Sequence, residues 1–270
     1  MNVLYFFYLI LLTFYVDVGF GLQLPAAGGL GSTSTCTPFQ TTFSPSDVSQ
    51  SLNTPFVAVS KRTSYEVTGD GLELFLDKPS GAIQTKNGVN SKIAEGSTIN
   101  STFVIRYGKV NIDFDGPIQP GVVTAAILIA THERDEIDIE LLGGDPTHWQ
   151  SNIFAYGPQD KHPLWGVFGE IENYPKKSTI ADTHKYTIDW NEDRIIWSVD
   201  GVPIRILQKD DTYKHGGLHY PSHPSRIQLG IWDASNPRGT SEWAKGPINW
   251  KAAPSRMIAT FRSIQVECPY

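Results

Sequence analysis

Short apolar or alternating runs recur along this chain: Leu72–Leu76, Thr98–Tyr107, Val122–Ala130, Glu136–Leu142, Asn152–Ala155, Tyr186–Trp190, Ile195–Val199, Ile227–Ile231 and Met257–Val266. Their two-residue period and their Val, Ile and Thr content predict β-strands. Turn clusters separate them, among them Gly69-Asp70-Gly71, Asp115-Gly116-Pro117, Gly143-Gly144-Asp145-Pro146 and Asp200-Gly201. This spacing is that of antiparallel strands folded into two stacked sheets. No long helical period, internal repeat or interdomain linker interrupts it, so the pattern predicts one all-β sandwich domain over residues 56–270. Residues 22–55 are rich in Gly, Ser, Thr and Pro and show no periodic apolar face, which predicts a loosely structured lead-in. Gly28-Gly29-Leu30-Gly31 within it has no strand before it and no helix after it, so it does not read as a nucleotide loop.

Composition narrows the function classes. The chain is 40% hydrophobic and 19% charged, with 24 Gly, 18 Pro and only 2 Met, as expected of a globular β protein rather than a helical bundle or a disordered chain. A net charge of −6 offers no field for phosphate backbones or anionic lipid, so nucleic acid is not an expected partner.

The apolar stretch Val3–Val16 is short for a bilayer span and has the size of a signal-peptide h-region, although no Lys or Arg precedes it. Gly19-Phe20-Gly21 supplies a small-x-small site, which predicts a leader over 1–21; the other reading is a buried N-terminal helix. No hydrophobic tail of the lipid-anchor kind follows Cys268-Pro269-Tyr270. The expected mature product is therefore a soluble monomer outside the cell, secreted or in the cell wall, without membrane attachment. Cys36 and Cys268 are the two cysteines, and an oxidising compartment predicts one bridge between them. Closing so long a loop is worth up to about 5 kcal/mol on chain-entropy arithmetic. Asn100-Ser101-Thr102 is a glycosylation sequon, consistent with secretion, which makes Asn100 the expected glycan site.

The segment Asp135-Glu136-Ile137-Asp138-Ile139-Glu140-Leu141-Leu142-Gly143-Gly144 carries the candidate chemistry. As a strand it projects Glu136, Asp138 and Glu140 from one face and sends Ile137, Ile139 and Leu141 into the core. Three carboxylates in a row repel one another, which raises the pKa of at least one of them. Retaining glycosidic cleavage needs such a set, one carboxylate as nucleophile and another held protonated as acid. Glu136 and Glu140 have Cα atoms about 13 Å apart on an extended strand, so they meet over one bond only if their side chains lean inward. An adjacent pair such as Asp138 with Glu140, a metal site and plain solvation are the other readings of the same residues.

Glu-Ile-Asp-Ile-Glu followed by Leu-Leu-Gly-Gly-Asp resembles the acid strand of glycoside hydrolase family 16. The longer string DEIDIELLGGDPTHWQSNIFAYG resembles that family's fungal cell-wall branch, the Crh-type chitin–glucan transglycosylases. His184–Gly201 and Arg226–Trp250 resemble later segments of the same family, and the similarity spans roughly residues 56–266. The resemblance implies a curved antiparallel jelly roll of the concanavalin A type with the acids on its concave face. It assigns Glu136 as nucleophile, Asp138 as its assistant and Glu140 as acid/base. It also implies a polysaccharide partner, with a β-1,4-linked chitin-type donor transferred to a β-glucan acceptor. A β-glucan hydrolase of the same family and a non-catalytic lectin on the same sandwich are the alternatives.

Seven Trp and 11 Tyr in a polar β protein suggest sugar platforms. Gln150 and Asn152 lie on one face of the strand after the acids, with Phe154, and offer amides suited to sugar hydroxyls. The resemblance places Trp190 on the donor side, whereas Trp197 reads equally as core. Trp232 and Trp243 flank the loop DASNPRGTSE as candidates for the acceptor side, and Tyr156 is a further candidate. The seven His form no metal-binding spacing, and Asp113-Phe114-Asp115-Gly116 lacks the remaining ligands of a calcium loop and reads as a turn. No metal or cofactor is expected, and no Gly-x-Ser-x-Gly elbow points to a serine nucleophile.

Overall fold

The computed structural model describes residues 35–157 and 160–270. The proposed leader lies outside them, as does the lead-in up to residue 34. Two eight-stranded sheets stack face to face. The outer sheet runs, edge to edge, through Val202–Gln208, Arg194–Val199, His184–Trp190, Gly108–Asp115, Arg256–Glu267, Gly71–Asp77 and Tyr65–Thr68. Its short strand Phe39–Thr41 also pairs with Arg256–Glu267. The groove sheet runs through Glu170–Asn173, His148–Phe154, Glu136–Leu142, Val122–Ala130, Ser225–Asp233, Ser97–Ser101, Phe56–Ala58 and Val48–Ser49. Within these sheets only Val48–Ser49 and Phe56–Ala58 pair in parallel. No helix among the described residues is long and apolar enough to cross a membrane.

Side-chain parity builds the core between the sheets. Val110, Ile112 and Phe114 come from one strand of the outer sheet, and Tyr186, Ile188 and Trp190 from its neighbour. They meet Ile137, Ile139 and Leu141 and also Ile227, Leu229 and Ile231 of the groove sheet. Phe114 stacks on Phe261 at 5.0 Å, and Tyr186 meets Trp149 of the groove sheet edge-on at 5.7 Å, so the aromatic layer ties the two sheets. Cys36 and Cys268 are bridged, with Cα atoms 5.6 Å apart.

The strands Val122–Ala130 and Glu136–Leu142 fall where the alternation predicts them. Three expectations are corrected. Residues 35–55 are not a loose lead-in, because Phe39–Thr41 and Val48–Ser49 join the sheets, and Phe43 and Val48 are core residues. Asp113-Phe114-Asp115 is no turn; it ends the central strand Gly108–Asp115, whose Phe114 is fully buried. The run Thr98–Tyr107 stops being a strand at Ser101, because the Ser101 hydroxyl turns back to donate to the Phe103 carbonyl at 2.7 Å.

Candidate active site

The register of the groove sheet arranges the outward side chains of the acidic strand in transverse rows. Glu136 faces Phe154 across one edge, Asp138 faces Asn152, and Glu140 faces Gln150. Across the other edge Asp138 meets Ile127 and then Gln228, while Glu140 meets Ala125 and then Gly230. These residues floor a groove of about 310 Å³. Ala125 and Gly230 keep the floor low beside Glu140. A Cβ added at Gly230 would meet nothing closer than the Ser97 carbonyl at 3.5 Å, so the backbone there does not itself demand glycine.

Aromatic side chains raise two walls. At the Glu140 end, Trp232 and Trp243 stack at 5.9 Å, and the Trp243 indole N–H donates to the Gln150 side-chain carbonyl at 3.0 Å. Trp243 sits on the six-residue helix Arg238–Trp243. The loop leading to that helix is rooted by Asp233, whose carboxylate accepts the Ala94 and Ser235 backbone N–H groups. At the Glu136 end, Phe154 meets Trp165 edge-on at 5.2 Å. The segment carrying Trp165 is moored by Asp160, which accepts from the Gly157 N–H at 2.8 Å and lies 2.5 Å from Nε2 of the buried His219.

Glu136 and Asp138 are buried at 6% and 3% exposure, and Glu140 is partly buried. Burial pushes Glu136 up to about 8, with the Glu140 charge adding to it. Burial likewise raises Glu140 to about 7. Asp138, buried between Glu136 and Glu140, is raised well above the usual carboxylate range, first by burial and then by its two neighbours. Among the described residues no Lys or Arg lines the groove. The three acids therefore titrate as one set, each raised by burial, with Glu136 and Asp138 raised further by the neighbouring charges. Asp135, one position earlier, behaves differently. It accepts from the Ser222 N–H, the His223 N–H and the His223 ring nitrogen, so it anchors the start of the strand rather than joining the set.

The groove thus gathers Glu136, Asp138, Glu140, Gln150, Asn152, Trp232 and Trp243 of the expected residues. Three expectations are corrected. Trp190 is fully buried on the core side; its N–H donates to the Pro221 carbonyl and its ring meets Tyr107 at 5.1 Å, so it does not reach the groove. Tyr156 lies past the end of its strand with the Arg134 guanidinium 4.8 Å over its ring, away from the groove lining. Asn100 is only 7% exposed on a strand, opposite Gln228, so its sequon is not an exposed acceptor. Sequence reasoning also missed groove residues. Gln228 is outward by parity, since Ile227, Leu229 and Ile231 are core, and that signal was available. Trp165 lies in a loop where no period applies.

A Ser–His–Asp arrangement exists outside the groove. Ser178 Oγ lies 2.7 Å from His184 Nε2, and His184 Nδ1 lies 2.7 Å from Asp200. The Ser178 hydroxyl is also 2.9 Å from the Asp182 carboxylate, which takes its single proton. With the Ser178 proton engaged by Asp182, the set closes a loop. Among the described residues no three side chains are arranged to hold a metal ion.

A groove floored by buried carboxylates and amides between indole walls, on an antiparallel sandwich, is the architecture of a sugar-processing protein. The family model for glycosyl hydrolases family 16 matches residues 53–252, and the chain belongs to that family. Crh-like protein 5 of Aspergillus fumigatus is 32% identical over 240 residues, covering 87% of this chain and 56% of that protein. Crh-like protein 2 of the same organism is 39% identical over 186 residues, covering 66% of this chain and 41% of that protein. The chain thus spans about half the length of the curated relatives it matches. Among solved structures, the Crh5 transglycosylase in complex with NAG superposes with a TM-score of 0.67 at 27% identity, over 87% of this chain and 88% of that one. A Bacillus licheniformis β-glucanase shares the fold, with a TM-score of 0.65 at 18% identity over 86% and 99% of the two chains.

Proposed function

We propose that this protein is a retaining glycosidase or transglycosylase of the cell wall that cleaves a β-1,4-linked chitin-type donor and transfers it to a β-glucan acceptor. The observation that carries this reading is the set of three acids on one strand, set in a groove whose described lining has no Lys or Arg and flanked by amides and indoles. Glu136 attacks the anomeric carbon while Glu140, protonated, donates to the leaving oxygen. Asp138 keeps its proton and holds Glu136 in its ionised form. Glu140 then removes the proton from an incoming sugar hydroxyl, which resolves the glycosyl-enzyme. The productive arrangement of protons, with Glu136 ionised and Glu140 neutral, is one of the states the shared set occupies near neutral pH.

Support for a chitin-type donor comes from the relative solved with NAG, the sugar unit of chitin. Support for transfer over hydrolysis comes from the indole pair Trp232–Trp243, a stacking platform next to Glu140 where an acceptor sugar excludes water. The disulfide supports a placement outside the cell, secreted or wall-bound. The test incubates the protein and its Glu136→Gln variant with chitin oligomers and a fluorescent β-1,3-glucan oligomer. Hybrid fluorescent products, absent in the variant, are the expected result. Shortened oligomers alone would replace transfer by hydrolysis, and binding without turnover would make the protein a lectin.

A further inference from the structure

Behind the groove floor, on the core side, a stacked pair of side chains from the outer sheet reaches the acidic strand and the amide-bearing strand beside it. Trp197 and Arg205 are direct cross-strand partners in the outer sheet, next to a bulge between Trp197 and Ser198 that shifts the register. Bulges re-aim side chains. The Trp197 indole N–H donates to the backbone carbonyl of Asp138 at 3.1 Å. The Arg205 guanidinium lies 4.7 Å over the Trp197 ring and reaches across to the other strand. It donates to the Ser151 carbonyl at 3.1 Å and to the Ser151 hydroxyl at 2.8 Å, between Gln150 and Asn152. It also donates to the Phe168 carbonyl at 2.7 Å, beside Gly169 of the groove lining.

Its charge is balanced within the same cluster. The Ser151 hydroxyl donates to the buried Glu172 carboxylate at 2.7 Å, and the charges of Glu172 and Glu170 act on the guanidinium. A partly buried Arg held mainly by carbonyls is costly to keep, and a planar fork is suited to fixing several backbone segments at once. Neither side chain lines the groove or touches where substrate would lie.

We propose that Trp197 and Arg205 are positioning residues for the reaction: together they fix, from the core side, the height of Asp138 and of the Gln150–Asn152 segment relative to the bound sugar. This rests on the function proposed above. Displacing reacting groups by about 1 Å can cost on the order of 10²-fold in rate, so a modest loosening of this clamp acts on turnover rather than on binding.

The test compares Arg205→Lys, which keeps the charge but loses the fork, and Trp197→Phe, which keeps a ring but loses the donor. In variants that fold, kcat on a chitin-oligomer donor with a fluorescent β-glucan acceptor falls about tenfold or more for Arg205→Lys and less for Trp197→Phe. KM stays within about twofold in both. The upper limb of the pH–rate profile moves to lower pH, because a looser floor admits water and weakens the burial that raises Glu140. Amide hydrogen exchange, which needs no turnover, accelerates at Ile137–Ile139 and Gln150–Ile153 while the rest of the groove sheet keeps its protection. Unchanged kcat, pH limb and local exchange in the folded variants would overturn the proposal. If Arg205→Lys does not fold, Trp197→Phe decides alone. A wild-type protein inert on both polysaccharides defeats the proposed function instead, and the exchange measurement still decides the clamp.

Discussion

Two strands of the sandwich carry acids on an outward face, and they differ in what surrounds those acids. In Gly108–Asp115 the carboxylates are compensated: Asp115 accepts from Arg262 and Thr183, and Asp113 accepts from the Ser263 hydroxyl. Nearby in the same sheet, Asp77 takes two hydrogen bonds from Arg256, which hold its carboxyl below its ordinary range. In Glu136–Leu142 no cation is supplied, burial is deeper, and all three acids are raised. Similar alternation therefore yields a solvated, neutralised face in one sheet and an electrostatically strained one in the other. Such strain is expected where ionisable groups are tuned for proton transfer, the role proposed for this face.

Substitutions on the two faces should separate sharply. Glu140→Gln removes the proposed proton donor and is expected to lower turnover by about 10²–10⁴-fold, whereas Asp113→Asn on the opposite sheet leaves it within about twofold. Initial rates on chitin oligomers check both, and equal losses would erase the contrast. The next effect is on binding. Trp243→Ala removes one ring of the stacked pair and the partner of Gln150, and should weaken oligosaccharide Kd about tenfold by calorimetry.

The pH response follows from the raised acids. The proposed productive state needs Glu136 ionised and Glu140 protonated, so with these two raised to about 8 and about 7 the rate should peak between those values and fall on either side, measured as kcat against pH. The smallest effects concern stability, and here the two faces carry opposite signs. A carboxyl whose folded pKa is raised binds its proton more tightly when folded, so its contribution is present at acid pH and lost as pH rises from about 4.5 through 7. Glu140→Gln is therefore expected to raise Tm by a few degrees at pH 7.5 and to leave it unchanged at pH 4. Asp115→Asn loses an ion pair to Arg262 and should lower stability by about 0–1 kcal/mol at pH 7.5.

Much of this contrast was legible in the sequence, through parity. The run from Glu136 to Leu142 separates three acids from three apolar residues, and the structure keeps that separation. The same rule applied to Tyr186, Ile188 and Trp190 sends Trp190 into the core, and a resemblance that placed it on the donor side gave way to that parity. Where Asp-Phe-Asp-Gly suggested a turn, the alternation Val110, Ile112, Phe114 was the better guide. What no period announces is tertiary placement: Trp165 reaches the groove on a loop, and Arg205 reaches Ser151, behind the groove floor, from the other sheet on a strand containing Pro203. Asn100 shows the limit of a motif, since three letters state nothing about whether the side chain meets solvent.

The low floor beside Glu140 has a consequence for selectivity. Because Ala125 and Gly230 add at most a methyl group to the row beside Glu140, a glycan bound there under the proposed function would meet backbone on that flank. The backbone at Gly230 has room for a Cβ, so a bulky residue there would narrow the approach to Glu140 without straining the sheet.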